Sequence, residues 1–142
     1  MANAVKVPRI GDVYLMKFSG DGSEQRGWRP GLVFQNNVGN THSPNVIALP
    51  LTSACKKQSQ PTHVFLPAAE TGLRRNSIVL CENPECMSKE KLGAYLSTIP
   101  PAYMRRIAEA SILATSAISF LDPAALRPLW QRASALNARF PS

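Results

Sequence analysis

Residues 22–34 decide the interpretation of this chain: Gly22-Ser-Glu-Gln-Arg-Gly-Trp-Arg-Pro-Gly-Leu-Val-Phe34. The pattern predicts a polar, glycine-punctuated loop that leads into an apolar strand. Gly22 and Gly27 allow the backbone to bend and to approach a ligand closely. Pro30 has a fixed φ and no N–H, which suits the first residue of a strand. Arg29 is therefore expected where the loop meets rigid structure.

The guanidinium group of Arg29 stays charged at any working pH, and its planar fork matches the oxygens of a phosphate. A fixed arginine beside a flexible loop is what a phosphodiester-binding site requires. The simpler alternative is a hairpin loop in which Arg29 merely pairs with an acid. The rest of the chain bears on this choice.

Length and composition indicate one globular domain. A chain of 142 residues can build a single core, and 44% hydrophobic with 18% charged residues is ordinary for a folded protein. The formal net charge of +7 favours an anionic partner, nucleic acid rather than a membrane surface. The most apolar segment, residues 107–121, contains Glu109 and several hydroxyl residues, so it is not predicted to span a membrane.

Cysteine and histidine usage gives no sign of a metal site or a cofactor. Cys55, Cys81 and Cys86 form no C-x-x-C pair, and the chain has only two histidines, so the spacing of a zinc site is absent. Cys81 lies in an apolar run and is expected in the core. This usage fits a reducing cytoplasm, and residues 1–8 lack the apolar core of a signal peptide.

Short strand patterns dominate the first hundred residues. Apolar or alternating runs bounded by turn residues occupy residues 13–18, 31–34, 46–51, 63–66, 77–81 and 91–97. Six or so short strands joined by hairpin-like loops predict a small barrel or a strongly coiled sheet. The expected organisation is a single domain over 1–142 whose β-barrel spans 9–100.

Helical patterns follow residue 100. Proline is favoured at the first helical position, so the Pro100-Pro101 pair predicts a helix entry. A packing helix is expected over 101–121, with apolar residues at helical spacing: Met104, Ile107, Ala108, Ile112 and Ile118. A helical extension should occupy 122–142, interrupted at Pro128. Its final amphipathic helix would present one apolar face: Leu129, Ala133, Leu136 and Phe140.

A set of short motifs stands in the order and spacing of a known family. The motifs are Gly11-Asp-Val-Tyr14, Gly22-Ser-Glu-Gln25, Arg29-Pro30, Pro50-Leu-Thr-Ser53, Pro61-Thr-His-Val64 and Asn76-Ser-Ile-Val-Leu80. Together they resemble the MazF/PemK toxins of bacterial toxin–antitoxin modules over roughly residues 9–121. The resemblance implies a mainly β, SH3-like small barrel with C-terminal helices, as in the related CcdB toxins. It also implies a cytoplasmic homodimer that cleaves single-stranded mRNA without a metal and is inhibited by a cognate acidic antitoxin.

The resemblance also implies roles for individual residues. Arg29 matches the catalytic arginine, which would stabilise the charge that develops on the cleaved phosphate. Thr52 matches the catalytic threonine, which would hold the scissile phosphate or the reacting hydroxyl in line. On spacing alone, Thr52 could equally cap a turn. Ser23, Glu24 and Gln25 match the loop that contacts RNA.

The chain departs from the family pattern after residue 81. Glu82 preserves an acid that takes part in the active site of the PemK branch, and we expect it to contact RNA. Glu85 replaces the usual arginine, a charge reversal that would repel phosphate if the side chain faced the RNA groove. Leu80 stands where the PemK branch has another arginine, so Arg29 and Thr52 would have to perform the chemistry. For His63 a structural hydrogen bond is expected, and His42 is expected in a loop.

Two other classes of function remain open from the sequence. The same barrel could be a non-catalytic toxin that poisons another target, as CcdB toxins do. It could also be a degenerate barrel that binds RNA or an antitoxin without cleaving RNA. The segment 122–142 could enlarge a dimer or antitoxin interface, or it could cover the barrel.

Overall fold

The structure, a computed structural model, describes residues 7–19, 26–53 and 60–138. In these ranges it contains seven β-strands and four α-helices. The strands are β1 (Asp12–Ser19), β2 (Arg26–Val33), β3 (Asn45–Ser53), β4 (His63–Leu66), β5 (Ser77–Leu80), β6 (Glu85–Ser88) and β7 (Leu92–Thr98). The helices are α1 (Asn37–His42), α2 (Ala68–Thr71), α3 (Pro101–Thr115) and α4 (Leu126–Ala138).

The strands form an antiparallel sheet in the order β4-β5-β3-β2-β1-β7, with β6 also paired to β3. Strand β3 organises this sheet because one of its edges pairs first with β6 and then with β5, while its other edge pairs with β2. The predicted mainly β, barrel-like fold with C-terminal helices is confirmed. In the described ranges β4 and β7 do not pair with each other, so the ladder is not closed.

Hydrophobic side chains cover both faces of the sheet. Strand β1 supplies both, because successive side chains of a strand point to opposite faces: Val13 belongs to one cluster, whereas Met16 and Phe18 belong to the other. Helix α3 packs on the Val13 face through Ile107 and Ala110. The sheet therefore has a helix-covered core on one face and a second hydrophobic cluster on the other.

Strand β2 begins at Arg26, five residues before the predicted start at Gly31. Pro30 consequently lies inside the strand, opposite Leu15 of β1, rather than at its beginning. The ladder to β3 starts only at Gly31, so the first part of β2 is an edge, and edge strands tolerate proline. Gly27 has a φ of 83°, which agrees with the bend expected there.

Two elements were not anticipated. Strand β6 is only four residues long and lies in the stretch that departs from the family pattern. Helix α1 replaces an expected turn; the Asn36 side chain caps it by accepting a hydrogen bond from Gly39 N, and exposed His42 is its last residue. Both elements are short and polar, so they lack the hydrophobic periodicity from which strands and helices are recognised.

The C-terminal helices differ from the prediction at two points. Helix α3 ends at Thr115 rather than near residue 121, because Ser116 adopts a left-handed conformation with φ 55°. Helix α4 runs through Pro128 without interruption. Pro128 lies in its first turn, where backbone N–H groups have no partner within the helix, so the missing N–H costs little.

Apolar side chains of the C-terminal segment are exposed rather than packed on the barrel. Phe120 is 89% exposed, Trp130 66% and Leu136 38%. The contacts that place α4 include a hydrogen bond from Asn37 N in α1 to Asn137 Oδ1, 3.0 Å long. Phe140, predicted on the same apolar face, lies outside the described residues. No helix in the described ranges has the length and apolarity to cross a membrane.

Gly31 gives a test of the packing between β1 and β2. A Cβ atom at this position would overlap Sδ of Met16 and lie 2.8 Å from Cζ of Phe18. We expect Gly31→Ala to lower the free energy of unfolding by about 1–3 kcal/mol, as overpacking of a dense core does, measured by chemical denaturation. In a double-mutant cycle the same change should cost less in a Met16→Val background. Equal costs in both backgrounds would contradict this account.

Candidate functional site

Arg29 lies in β2 with its side chain half-buried. Its Nε and Nη2 atoms both donate hydrogen bonds to the carbonyl oxygen of Leu51 in β3, over 3.2 and 2.7 Å. Two donors on one acceptor fix both the position and the plane of the guanidinium group. The contact explains how a charged arginine is held at this place in the sheet.

Thr52 follows Leu51 directly and lies opposite Ile78 of β5. The pairing of β2 with β3 ends at Gly31 opposite Pro50. Two residues further along each strand stand Arg29 and Thr52, so continued pairing would place these two residues opposite one another on the same face. The backbone ladder instead ends at Gly31, and the Arg29 side chain links the two strands beyond that point through the Leu51 carbonyl. The two predicted catalytic residues are thus brought to one place.

The hydroxyl of Thr52 is available at this point. In the described part of the chain it has no hydrogen-bond partner, and Thr52 lies inside β3 rather than at a turn. The alternative that its hydroxyl caps a turn therefore has no support among these residues. A fixed cation beside an available hydroxyl, both half-buried, can bind an anionic oxygen with defined geometry.

The predicted RNA-contacting residues Ser23, Glu24 and Gln25 lie outside the described residues. The residues that flank their segment, Ser19 and Arg26, form the last pair of the β1–β2 ladder. The segment therefore leaves from and returns to the end of this hairpin.

Glu85 opens β6 and contacts the end of β1. Its Oε2 atom accepts hydrogen bonds from Ser19 N at 3.2 Å and from Ser19 Oγ at 3.0 Å. The carboxylate that stands in place of the family's arginine is thus hydrogen-bonded at the base of the 20–25 segment. This contact joins residues 66 positions apart, and nothing in the local sequence of either one indicates it.

Glu82 is hydrogen-bonded to His63, and in the described ranges it forms no hydrogen bond with Arg29 or Thr52. Its Oε2 atom lies 2.8 Å from Nε2 of His63. An ionised carboxylate can only accept, so Nε2 of His63 donates. Nδ1 of the same ring is buried and has no hydrogen-bond partner among the described residues. The structural hydrogen bond expected for His63 is present, and its partner is the acid predicted to contact RNA.

The pKa of Glu82 is lowered by the balance of two effects. Partial burial raises it, but hydrogen bonds from His63, from its own backbone N–H and from Thr62 outweigh burial and hold the pKa below its ordinary value. The carboxylate is 36% exposed. Glu82 is therefore an ionised acceptor at the surface, beyond the end of β5.

Comparison with known proteins supports the resemblance in the sequence. Residues 9–114 match a family model described as PemK-like, MazF-like toxin of type II toxin-antitoxin system. The chain is 36% identical to Endoribonuclease EndoA of Bacillus subtilis over 115 residues, which are 80% of this chain and 99% of that protein. It is 36% identical to Endoribonuclease MazF of Staphylococcus saprophyticus over 100 residues, covering 70% of this chain and 83% of that protein.

A solved structure agrees with these sequence matches. An endoribonuclease from a mycobacterial species, determined in complex with its cognate antitoxin, superposes with a TM-score of 0.63 and 29% sequence identity. The superposition covers 82% of this chain and 99% of that chain. The motifs, the fold and the matched range agree, and the chain belongs to the family of PemK-like, MazF-like toxins of type II toxin–antitoxin systems.

Proposed function

We propose that this protein is a toxin endoribonuclease that cleaves single-stranded mRNA at short specific sequences without a metal and is inhibited by a cognate antitoxin. The observation that carries the proposal is the guanidinium of Arg29, held on the Leu51 carbonyl beside the available hydroxyl of Thr52. The endoribonucleases to which the chain is similar support the same conclusion.

In the proposed reaction the ribose 2′-oxygen attacks the adjacent phosphorus, and the bond to the 5′-oxygen of the next nucleotide breaks. The products are a 2′,3′-cyclic phosphate and a 5′-hydroxyl end, so one proton leaves the 2′-hydroxyl and one joins the departing oxygen. Arg29 donates to the non-bridging oxygens as they gain charge. Thr52 holds the phosphate or the attacking hydroxyl in line.

RNA recognition is assigned to other residues. Ser23, Glu24 and Gln25 are proposed to contact the RNA near the cleaved bond. Glu82 is proposed as a further contact, since an ionised surface carboxylate can accept from the amino group of a base. Its hydrogen bond with His63 holds the carboxylate in position.

The proposed partners follow from charge and from exposed surface. A net charge of +7 suits both an RNA strand and an acidic antitoxin, so the two ligands would compete. The mycobacterial relative determined with its cognate antitoxin supports such an inhibitor. The exposed apolar side chains after residue 111 support a homodimer, because patches of this kind mark interaction surfaces. A cytoplasmic location is proposed with this function.

The catalytic assignment predicts the effect of two substitutions. Arg29→Ala and Thr52→Ala should each lower the rate of RNA cleavage by about 100-fold or more, since removing one transition-state donor commonly costs that much. Cleavage of a long single-stranded RNA in EDTA, with the ends of the products identified, measures this. Arg105→Ala, which changes an exposed arginine of α3, is the control and should cleave like wild type.

Three results would contradict the proposal in different ways. Cleavage that survives Arg29→Ala would remove Arg29 from the mechanism. Cleavage that requires a divalent metal would exclude the proposed chemistry. Intact RNA with a folded wild-type protein that remains toxic to cells would favour a non-catalytic toxin on the same barrel.

The hydrogen-bonded carboxylate of Glu82 predicts a pH-dependent stability. The pKa of Glu82 is lowered in the folded protein, so its contribution is present above its unfolded-state pKa of about 4.3 and is lost as the pH falls through the folded value. Glu82→Gln should therefore unfold more easily than wild type at pH 7, and the difference should shrink as the pH falls below about 4.3. Thermal unfolding across this range measures it.

Glu90→Gln is the matched control, because Glu90 is exposed and its side chain has no ion-pair partner in the described part of the chain. A stability gap between wild type and Glu82→Gln that stays constant with pH would refute the proposed linkage. A change in the cleavage sequence preference of Glu82→Gln would support its contact with RNA, and an unchanged preference would confine Glu82 to a structural role.

A further inference from the structure

A cleft of about 350 Å³ opens on the helix-covered face of the sheet. Its wall includes Pro30 and Ser53, the residues that directly follow Arg29 and Thr52 in the chain. Because successive side chains of a strand point to opposite faces, the cleft and the proposed catalytic pair lie on opposite faces of the sheet. The cleft is therefore a separate feature of the molecule, which the proposed reaction does not use.

We propose that this cleft docks an acidic peptide segment of a protein partner. An apolar side chain of the segment would fill the cleft, and neighbouring carboxylates would pair with Arg74 and Arg75, which also line it. The inference rests on the proposed function, because it assigns a docking surface to the acidic inhibitor named there.

The floor of the cleft is aliphatic and consists of Leu15, Pro30, Leu73 and Leu96. The hydroxyl groups of the wall come from Ser53 and Ser77, and Ser77 Oγ already donates to the carbonyl oxygen of Arg75 at 2.9 Å. Few side chains of the wall can thus pair with the polar edge of a nucleotide base, and burying such an edge unpaired is costly. A leucine-sized side chain needs no such partner and gains free energy on leaving water. The floor therefore suits a peptide better than a base.

Two arginines lie at the rim of the cleft. The side chains of Arg74 and Arg75 are exposed, and in the described ranges no carboxylate lies within ion-pair distance of either guanidinium. A guanidinium group binds a carboxylate through two parallel hydrogen bonds, which fix its position as well as neutralise its charge. The rim therefore favours an acidic segment, whereas the floor favours an apolar one.

The backbone that presents these arginines is anchored. Asn76 Oδ1 accepts a hydrogen bond from Ala68 N at 2.9 Å, which ties the loop to α2. Leu73 is buried in the core at 8% exposure, which ties it to the barrel. A loop that is already ordered loses less conformational entropy when it binds a ligand.

The same face of the sheet carries a second apolar contact point, Trp28. It stands two residues before Pro30 in β2, so the two side chains share a face, and it is 54% exposed. A Cβ atom at Gly93 of β7 would lie 3.1 Å from Cζ3 of Trp28, so the missing side chain lets the indole lie across β1. Tryptophan is a frequent anchor of protein interfaces. Alternate side chains of an extended peptide share one side, so one can fill the cleft while the next contacts Trp28.

Binding of a short, labelled peptide of alternating leucine and glutamate to the full-length protein tests the inference. Arg74→Ala and Arg75→Ala should each weaken binding about tenfold, as loss of a charge-assisted hydrogen bond does. Trp28→Ala should weaken it by a similar factor, as loss of an interface anchor does. Fluorescence anisotropy at one fixed salt concentration measures the affinities. The arginine variants alter exposed side chains only, so the test does not depend on the folding of Trp28→Ala.

Two exposed residues elsewhere supply matched controls. Arg105→Ala on α3 controls for total charge, and Trp130→Ala on α4, 66% exposed, controls for the loss of an aromatic side chain; both should bind the peptide like wild type. A peptide of alternating serine and glutamate should bind wild type about tenfold more weakly, because it lacks the apolar anchor. If Arg74→Ala and Arg75→Ala behave like Arg105→Ala, or if the two peptides bind equally well, the inference is overturned.

Two further measurements identify a different occupant. If Arg74→Ala and Arg75→Ala weaken binding of a randomised single-stranded RNA, measured in the Arg29→Ala background, but not binding of the peptide, the cleft binds RNA and the inference is overturned. If they lower only self-association in analytical ultracentrifugation, the occupant is a second copy of the chain, with the same consequence. Failure of the wild-type protein to cleave RNA would refute the proposed catalysis, whereas peptide binding that depends on both arginines would still support the docking surface.

Discussion

The bond between the Arg29 guanidinium and the Leu51 carbonyl is the interaction on which the candidate site depends. The β2–β3 ladder ends at Gly31 opposite Pro50. Beyond that pair, in the described ranges, no backbone pairing joins the two strands. Arg29 bridges the gap with two donors on one oxygen, so a charged group replaces the missing backbone pairing. The same contact that joins the strands fixes the cation beside Thr52. The same guanidinium group therefore links the two strands and provides the cation of the proposed reaction.

Strand β3 makes this arrangement possible because its two halves have different partners. Its first residues pair with β6, and at Ala48 it pairs with both β6 and β2; Val46 and Ala48 are fully buried. Its second half pairs with β5 and loses β2, which leaves Thr52 half-buried beside an open edge. Where the pairing with β2 ends, Thr52 is left on a rigid strand with a backbone partner on one edge only, among the described residues. Sites built on strands in this way hold their geometry better than sites on free loops.

Much of the fold could be predicted from the sequence, because apolar runs separated by turn residues mark β1, β3, β4, β5 and β7. What could not be predicted depends either on contacts far apart in the chain or on a backbone conformation that the local residues do not indicate. The interior position of Pro30 follows from where β3 begins to pair, and the end of α3 follows from the left-handed conformation of Ser116. The sequence predicts Arg29 as a candidate site residue, but the partner of its side chain is a backbone carbonyl, and any residue at position 51 carries one. A pattern of side chains in the sequence does not indicate which backbone carbonyl accepts the bond.

The C-terminal segment adds a helix outside the barrel and leaves apolar side chains exposed. The family match ends at residue 114, and α4 lies beyond it, with a polar bond between Asn37 and Asn137 among the contacts that place it. Phe120 and Trp130 remain 89% and 66% exposed, so this helix gains little from the hydrophobic effect in a single chain. A helix that leaves large apolar side chains in water is stabilised when a second surface covers them. The homodimer and the antitoxin complex proposed above would each supply such a surface. The exposed apolar side chains of this extension are therefore the part of the molecule that gains most when a protein partner covers them.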